Sequence, residues 1–148
     1  MKHAREVIAA GHWDSASASD TIALDAHDRH RRRVVLTAEG GTKFLLDLPQ
    51  AVALRDGDGL RLDDGTVVRI VGRPELLVEI AAADAHALAR LAWHIGNRHT
   101  PAELASDAIY IAYDHVLEEM LRGLGAQTRA VERPFDPEGG AYAAHAHG

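Results

Sequence analysis

No cysteine occurs among the 148 residues, and that single absence excludes disulfides, thiolate zinc sites and a cysteine nucleophile together. Any metal this chain binds is held by nitrogen and oxygen. Basic charge is the minority sign, with 16 Lys and Arg against 22 Asp and Glu for a formal charge of -6, so nucleic acid and anionic membrane are poor partners. Near the start, the apolar run Val7-Ile8-Ala9-Ala10 stops at Gly11-His12-Trp13-Asp14, too short for a signal peptide or a membrane span. The cytoplasm is the expected location. HExxH, GxSxG and P-loop signatures are also missing. What the chain has in quantity is apolar residues, 47% of the total, and ten histidines. Its length suits one ordinary domain or two small ones.

From Thr21 to about Arg73 the pattern is short, alternating and punctuated, as in strands. The runs are Thr21 to Asp25, Arg32 to Ala38, Thr42 to Leu48, Leu60 to Asp63 and Thr66 to Val71. Glu39-Gly40-Gly41, Asp58-Gly59 and Asp64-Gly65 supply turn chemistry between them. This predicts a small antiparallel β barrel or sandwich, with a non-strand segment at Pro49 crossing one end. The Asp56-Gly57-Asp58-Gly59 stretch is a turn rather than a calcium loop, because the sixth and twelfth positions counted from Asp56 are Arg61 and Val67, where an EF-hand needs Gly and Glu. Arg29-His30-Arg31-Arg32-Arg33 is isolated and runs straight into Val34-Val35-Leu36, which marks a solvated strand edge. A docking surface for an acidic partner is its functional alternative.

Arg73-Pro74 is the expected boundary between domains, since the residue before proline is pushed extended and the pattern changes after it. Leu76 to Ile80 reads as a strand. Asp84 caps a helix whose stripe is Leu88, Leu91, Ala92 and Ile95, with Gly96 as its stop. A short extended piece at Ala102 to Ala105 and a strand at Ala108 to Ala112 follow. Asp114 then caps a second helix with the stripe Leu117, Met120, Leu121 and Leu124, closed by Gly125, and Gln127 to Phe135 is the last strand. The order strand, helix, strand, strand, helix, strand predicts a ferredoxin-like unit. The fold class is therefore α+β: residues 1–73 a β-rich domain suited to a partner or peptide, 74–135 a ferredoxin-like metal-binding and dimerisation domain, and 136–148 a flexible tail carrying His145 and His147.

Most histidines stand alone in polar contexts and read as solvated. At about 100° per residue, Trp93 and His86 lie opposite the core stripe of the first helix and His94 sits on its flank. An outward Trp93 is a mark of a partner surface, a second copy of the chain above all, or of packing on the N-terminal domain. His94 and His99 are five apart with a glycine between, so they share no helical face. His99 alone cannot hold a transition metal, because stable sites gather about four donors. Two copies related by a two-fold axis could supply two imidazoles, with the tail pair His145-Ala146-His147 completing the set. Such a site is shared, exposed and easily opened, which suits a carrier better than a catalyst. No catalytic residue and no organic cofactor is expected.

The stretch Trp93-His94-Ile95-Gly96-Asn97-Arg98-His99, followed by Pro101, resembles the signature of the UreE family of urease accessory proteins, which are nickel metallochaperones. The resemblance extends along nearly the whole chain. It takes in the basic strand Arg29 to Arg33, Leu48-Pro49, Asp56-Gly57-Asp58 and Pro74-Glu75-Leu76-Leu77. Further on it takes in Asp114-His115-Val116-Leu117 with Met120-Leu121 and Leu124-Gly125, then Phe135 and Pro137-Glu138-Gly139-Gly140-Ala141-Tyr142. It implies a homodimer that binds Ni²⁺ at the C-terminal domain interface through His99 of each subunit, aided by tail histidines. It also implies handover to the urease apoprotein activation complex with its accessory GTPase. Zn²⁺ and Cu²⁺ are able to occupy such nitrogen donors too. Where some members carry His-x-His at the second helix, Tyr113-Asp114-His115 offers His115 alone; the tail has only His145 and His147 where others are histidine-packed. About one ion per dimer, rather than bulk storage, is the expectation.

Two other classes fit the residues. A non-catalytic adaptor would grip a partner peptide with the β domain and leave the histidines incidental. A metal-dependent hydrolase would use His94, His99 and His115 and would need a general base in a pocket.

Overall fold

The computed structural model describes residues 1 to 139. The chain forms two compact units, Met1–Arg73 and a second beginning at Pro74. The fold class is α+β, and among the described residues no helix is long and apolar enough to cross a membrane.

The first unit contains β1 (Lys2–Ile8), β2 (Asp20–Leu24), the four-residue helix α1 (Ala26–Arg29), β3 (His30–Thr37), β4 (Lys43–Ala53), β5 (Gly59–Leu62) and β6 (Val67–Gly72). Its strands make one six-stranded sheet in the order β2-β6-β5-β1-β4-β3. The sheet is mixed: β1 runs parallel to β4 and β2 parallel to β6, the other pairs antiparallel. Neither parallel pair announces itself in the sequence. In β1 only Ala4 is fully buried and the register slips between Ala4 and Glu6, so the period-2 pattern that reveals a half-buried strand is broken after one repeat. The core is built from alternate residues, Phe44, Leu46 and Leu48 of β4, Leu60 and Leu62 of β5, and Val68 and Ile70 of β6.

Two expectations need correction. β4 does not stop at Pro49 but continues to Ala53. The pairing with β3 jumps from Arg33↔Asp47 to Arg31↔Val52, so Pro49 falls in a bulge where no ladder bond is required of its missing N–H. Arg29 is likewise not part of the solvated edge. It ends α1 at 2% exposure, and its Nε donates to the Leu24 carbonyl at 3.1 Å and its Nη1 to the Leu54 carbonyl at 3.0 Å. Arg32 and Arg33, on the terminal strand β3, are exposed. The Asp-Gly turns behave as read: Asp58 accepts the N–H groups of Ala10 and Arg55, and Asp56 that of Gly72.

The second unit contains β7 (Glu75–Ala81), α2 (Ala85–Asn97), β8 (Glu103–Leu104), β9 (Ile109–Ala112), α3 (His115–Gly123) and β10 (Gln127–Arg133). The antiparallel order β10-β7-β9-β8 is the ferredoxin-like arrangement. Val78 and Ile80 of β7 and Ile109 and Ile111 of β9 cluster with Leu91 and Ile95 of α2 and Leu117 and Leu121 of α3. Each helix starts on the residue expected. The Asp84 side chain accepts the Ala87 N–H at 2.7 Å, and the Asp114 side chain accepts that of Leu117 at 3.0 Å, each satisfying a donor the first turn leaves open.

Replacing Arg29 with Ala will strand two buried carbonyls and cost about 3 kcal/mol in a denaturant titration, whereas Arg32→Ala will stay within about 0.5. Asp20 supplies a pH signature. Hydrogen bonds from Thr42, then from the Gly40 and Thr21 N–H groups, hold its carboxyl down from 3.8 to about 2. A depressed carboxylate stabilises the fold above its unfolded value and loses that contribution as pH falls toward its folded one. Stability measured from about pH 4 down to about pH 2 will therefore fall more steeply for the native chain than for Asp20→Asn.

Candidate metal site

The end of α2 departs from expectation by three residues. Gly96 lies inside the helix, which runs to Asn97, and Arg98 is the cap with φ -93 and ψ 3. His99 then takes the left-handed position with φ 57, the only non-glycine residue with positive φ among those described. Its N–H donates to the Gly96 carbonyl at 3.0 Å, and that of Thr100 to the Ile95 carbonyl at 3.4 Å. This is the Schellman pair of bonds, which satisfies carbonyls that the last turn leaves open. Helix α3 ends the same way with a glycine in the corresponding place: Gly125 has φ 96, its N–H reaches Arg122, and that of Ala126 reaches Leu121, both at 3.0 Å. An L-residue there costs about 1 kcal/mol relative to glycine. His99 accepts that cost on an exposed turn, where its ring contributes little packing to offset it.

Around it the helix end is unusually bare. Trp93 is 64% exposed, and its ring meets that of the half-buried His94 edge-on at 5.1 Å. His94 faces a shallow groove shared with Ala87, Arg90, Leu91 and Leu124. A Cβ built on Gly96 would meet no atom within 4 Å, so nothing within the described chain requires a glycine at this position, which costs about 1 kcal/mol relative to alanine in a helix. His115 opens α3, exposed, with its Nε2 3.4 Å from Glu119 Oε1. Strand β9 runs antiparallel to β7 and ends opposite Leu77, so α3 starts from the end of the sheet toward which α2 descends. His99 and His115 therefore share that end. His145 and His147 lie outside the described residues.

Among the described residues one group of three potential ligands converges, Asp25, His27 and Asp28, with ligand atoms within 4.8 Å of one another. It belongs to the first unit, and the sequence reading passed over it. An Asp-x-His-Asp spacing was the available signal, but the donors are engaged locally. Asp25 caps α1 by accepting the Asp28 N–H at 2.7 Å. The Arg31 guanidinium donates to Asp28 at 2.8 Å and holds its carboxyl below the usual range, with a smaller contribution from His27. A cation already seated on the group opposes a second. His99 belongs to no such group among the described residues, whereas a stable site gathers roughly four donors.

Comparison with known proteins gives a consistent result. The family model described as UreE urease accessory protein, N-terminal domain, matches residues 2–72, and the one for the C-terminal domain matches residues 75–148. Among curated relatives, a urease accessory protein UreE of Bradyrhizobium sp. (strain ORS 278) is 51% identical over 100% of this chain and 71% of its own length. One from Azorhizobium caulinodans is 59% identical over 87% of this chain and 62% of its own. One from Chelativorans sp. (strain BNC1) is 53% identical over 88% of this chain and 82% of its own.

The cost at the α2 cap is measurable without any metal. His99→Gly will raise unfolding stability by about 1 kcal/mol, while His99→Ala, which keeps the unfavourable φ, will stay within about 0.5 of the native chain.

Proposed function

The chain belongs to the UreE family of urease accessory proteins, an accessory family rather than an enzyme family, and from that premise we propose that it carries Ni²⁺ for urease maturation in the cytoplasm. Two copies join through the exposed end of α2. His99 of each donates an imidazole to one shared ion, and His145 and His147 of the tails supply the further donors. The ion then passes to the urease apoprotein within the activation complex and its accessory GTPase.

The observation that carries this reading is the mismatch at His99. An exposed imidazole occupies a cap position where glycine is more stable, and it joins no group of three or more converging ligands among the described residues. A second copy doubles the donors at once, because a two-fold axis beside one histidine brings up its equivalent. The outward Trp93 and the bare Gly96 sit three residues apart on α2 and so share a face. A flat glycine beside an exposed indole suits close approach by another chain. A half-open site of imidazoles also suits a carrier, since a partner can compete for the ion one ligand at a time. His115, paired with Glu119 at the same end of the unit, is a peripheral donor in this scheme. Nitrogen donors bind Zn²⁺ and Cu²⁺ as well, so selectivity for nickel comes from supply and from the receiving site.

Calorimetric titration of Ni²⁺ at neutral pH, with chromatography to follow assembly, tests the proposal. One tight ion per two chains is expected, abolished by His99→Ala and weakened about tenfold by the double substitution His145→Ala and His147→Ala, an estimate based on loss of tethered donors. Trp93→Ala is expected to shift the assembly toward monomer. Full-strength binding by the His99→Ala chain would refute the shared site.

A further inference from the structure

The two helices of the second unit treat their basic residues in opposite ways. In α3 each is set against a carboxylate one turn away, Arg122 Nη2 at 3.2 Å from Glu118 and His115 Nε2 at 3.4 Å from Glu119. In α2 the same four-residue spacing carries His86, Arg90, His94 and Arg98, and no Asp or Glu occurs from Ala85 to Ala102. Among the described residues none of these four side chains has a carboxylate partner. Residues four apart on a helix are neighbours, so like charges in this register weaken it. The helix dipole favours cations in the last turn, which accounts for His94 and Arg98 but not for Arg90 in the second turn or His86 in the first. The whole chain carries -6, so the row is a local reversal of sign. Beside it lies an apolar recess. Ala87, Leu91 and Leu124 line the groove of about 180 Å³ that Arg90 and His94 border, and Leu124 is 46% exposed.

We propose that this face of α2 docks an acidic segment of a protein partner, which seats one apolar side chain in the groove and sets its carboxylates on Arg90 and Arg98. The occupant follows from the two halves of the surface. Unpaired guanidinium groups take anions, and their fork matches a carboxylate. The groove between them takes an apolar side chain, which an anionic phosphate backbone does not supply. Arg90 and Arg98 are about 12 Å apart along the axis, with His94 and the groove between, so the segment that fits has carboxylates on either side of a leucine-like residue. An acidic chain that binds an acidic partner needs such a reversal, because its overall field repels that partner. Trp93 and Gly96 lie about 100° and about 160° around α2 from His94, so the contact between copies proposed above uses another side of the helix. No metal ion enters this surface, and it stands apart from the carrier reading.

The test is fluorescence anisotropy on the full-length chain with a labelled helical peptide that has one Leu and a Glu one turn to each side of it. Expected is binding that weakens as salt is raised, at least tenfold in the double substitution Arg90→Glu and Arg98→Glu, and about fivefold when the peptide's Leu becomes Ala. The double variant is expected to bind the peptide with Lys in place of Glu instead, a swap that a merely structural role for the arginines would not produce. Its thermal midpoint is expected to equal or exceed the native one, since each Glu replaces a like-charged neighbour in the row. No binding of the acidic peptide, equal binding of the acidic and Lys peptides, or unchanged binding by the double variant would overturn the proposal. Tighter binding of duplex DNA or phosphatidylserine vesicles than of the peptide would overturn it in favour of a phosphate-bearing partner. A changed assembly state of the double variant in sedimentation would overturn it too, assigning the face to a second copy.

Discussion

The left-handed turn at His99 is the constraint on which the rest of the second unit's arrangement depends. Helix α2 ends with carbonyls that need donors, and the N–H groups of His99 and Thr100 satisfy two of them only if residue 99 has positive φ. That geometry brings the backbone out of the helix with the imidazole in solvent and lets Thr100-Pro101 run toward β8. Helix α3 shows the lower-energy solution to the same problem, with Gly125 at the equivalent place. The difference between the two helix ends is a side chain that stability alone does not select.

The first unit is organised by polar groups rather than by its apolar core alone. Phe44, Leu46, Leu60 and Ile70 exclude water, but the loops over them are fixed by carboxylates that accept backbone N–H groups. Asp20 holds the Gly40 to Thr42 turn, and Asp58 joins Ala10 to Arg55. Arg29 performs the complementary task, donating to two carbonyls from the interior. Short strands in a small unit leave many backbone groups unpaired, and these side chains supply the missing partners.

The path of the chain after β10 ties one edge of the second unit's sheet to the other. The strap from Pro134 to Glu138 uses one carboxylate and two backbone donors to bring the C-terminal segment back across the unit. It ends beside the loop that carries His99.

Local signals in the sequence were sufficient for much of this. Asp84 and Asp114 as caps, the stripes on α2 and α3, the Asp-Gly turns, the ferredoxin-like order and the outward Trp93 are written in residues close together in the chain, where periodicity and capping chemistry act. The signature around His99 was legible for the same reason. Only tertiary structure decided that Arg29 is buried, that β1 inserts beside β4, that β4 passes through Pro49, and that Glu103 holds Asp136, because each depends on partners 14 to 42 residues away that no local pattern encodes. The stop of α2 lies between these cases. Gly96 is the residue propensity would choose, yet the bonds close three residues later, where the N–H groups of His99 and Thr100 reach the Gly96 and Ile95 carbonyls.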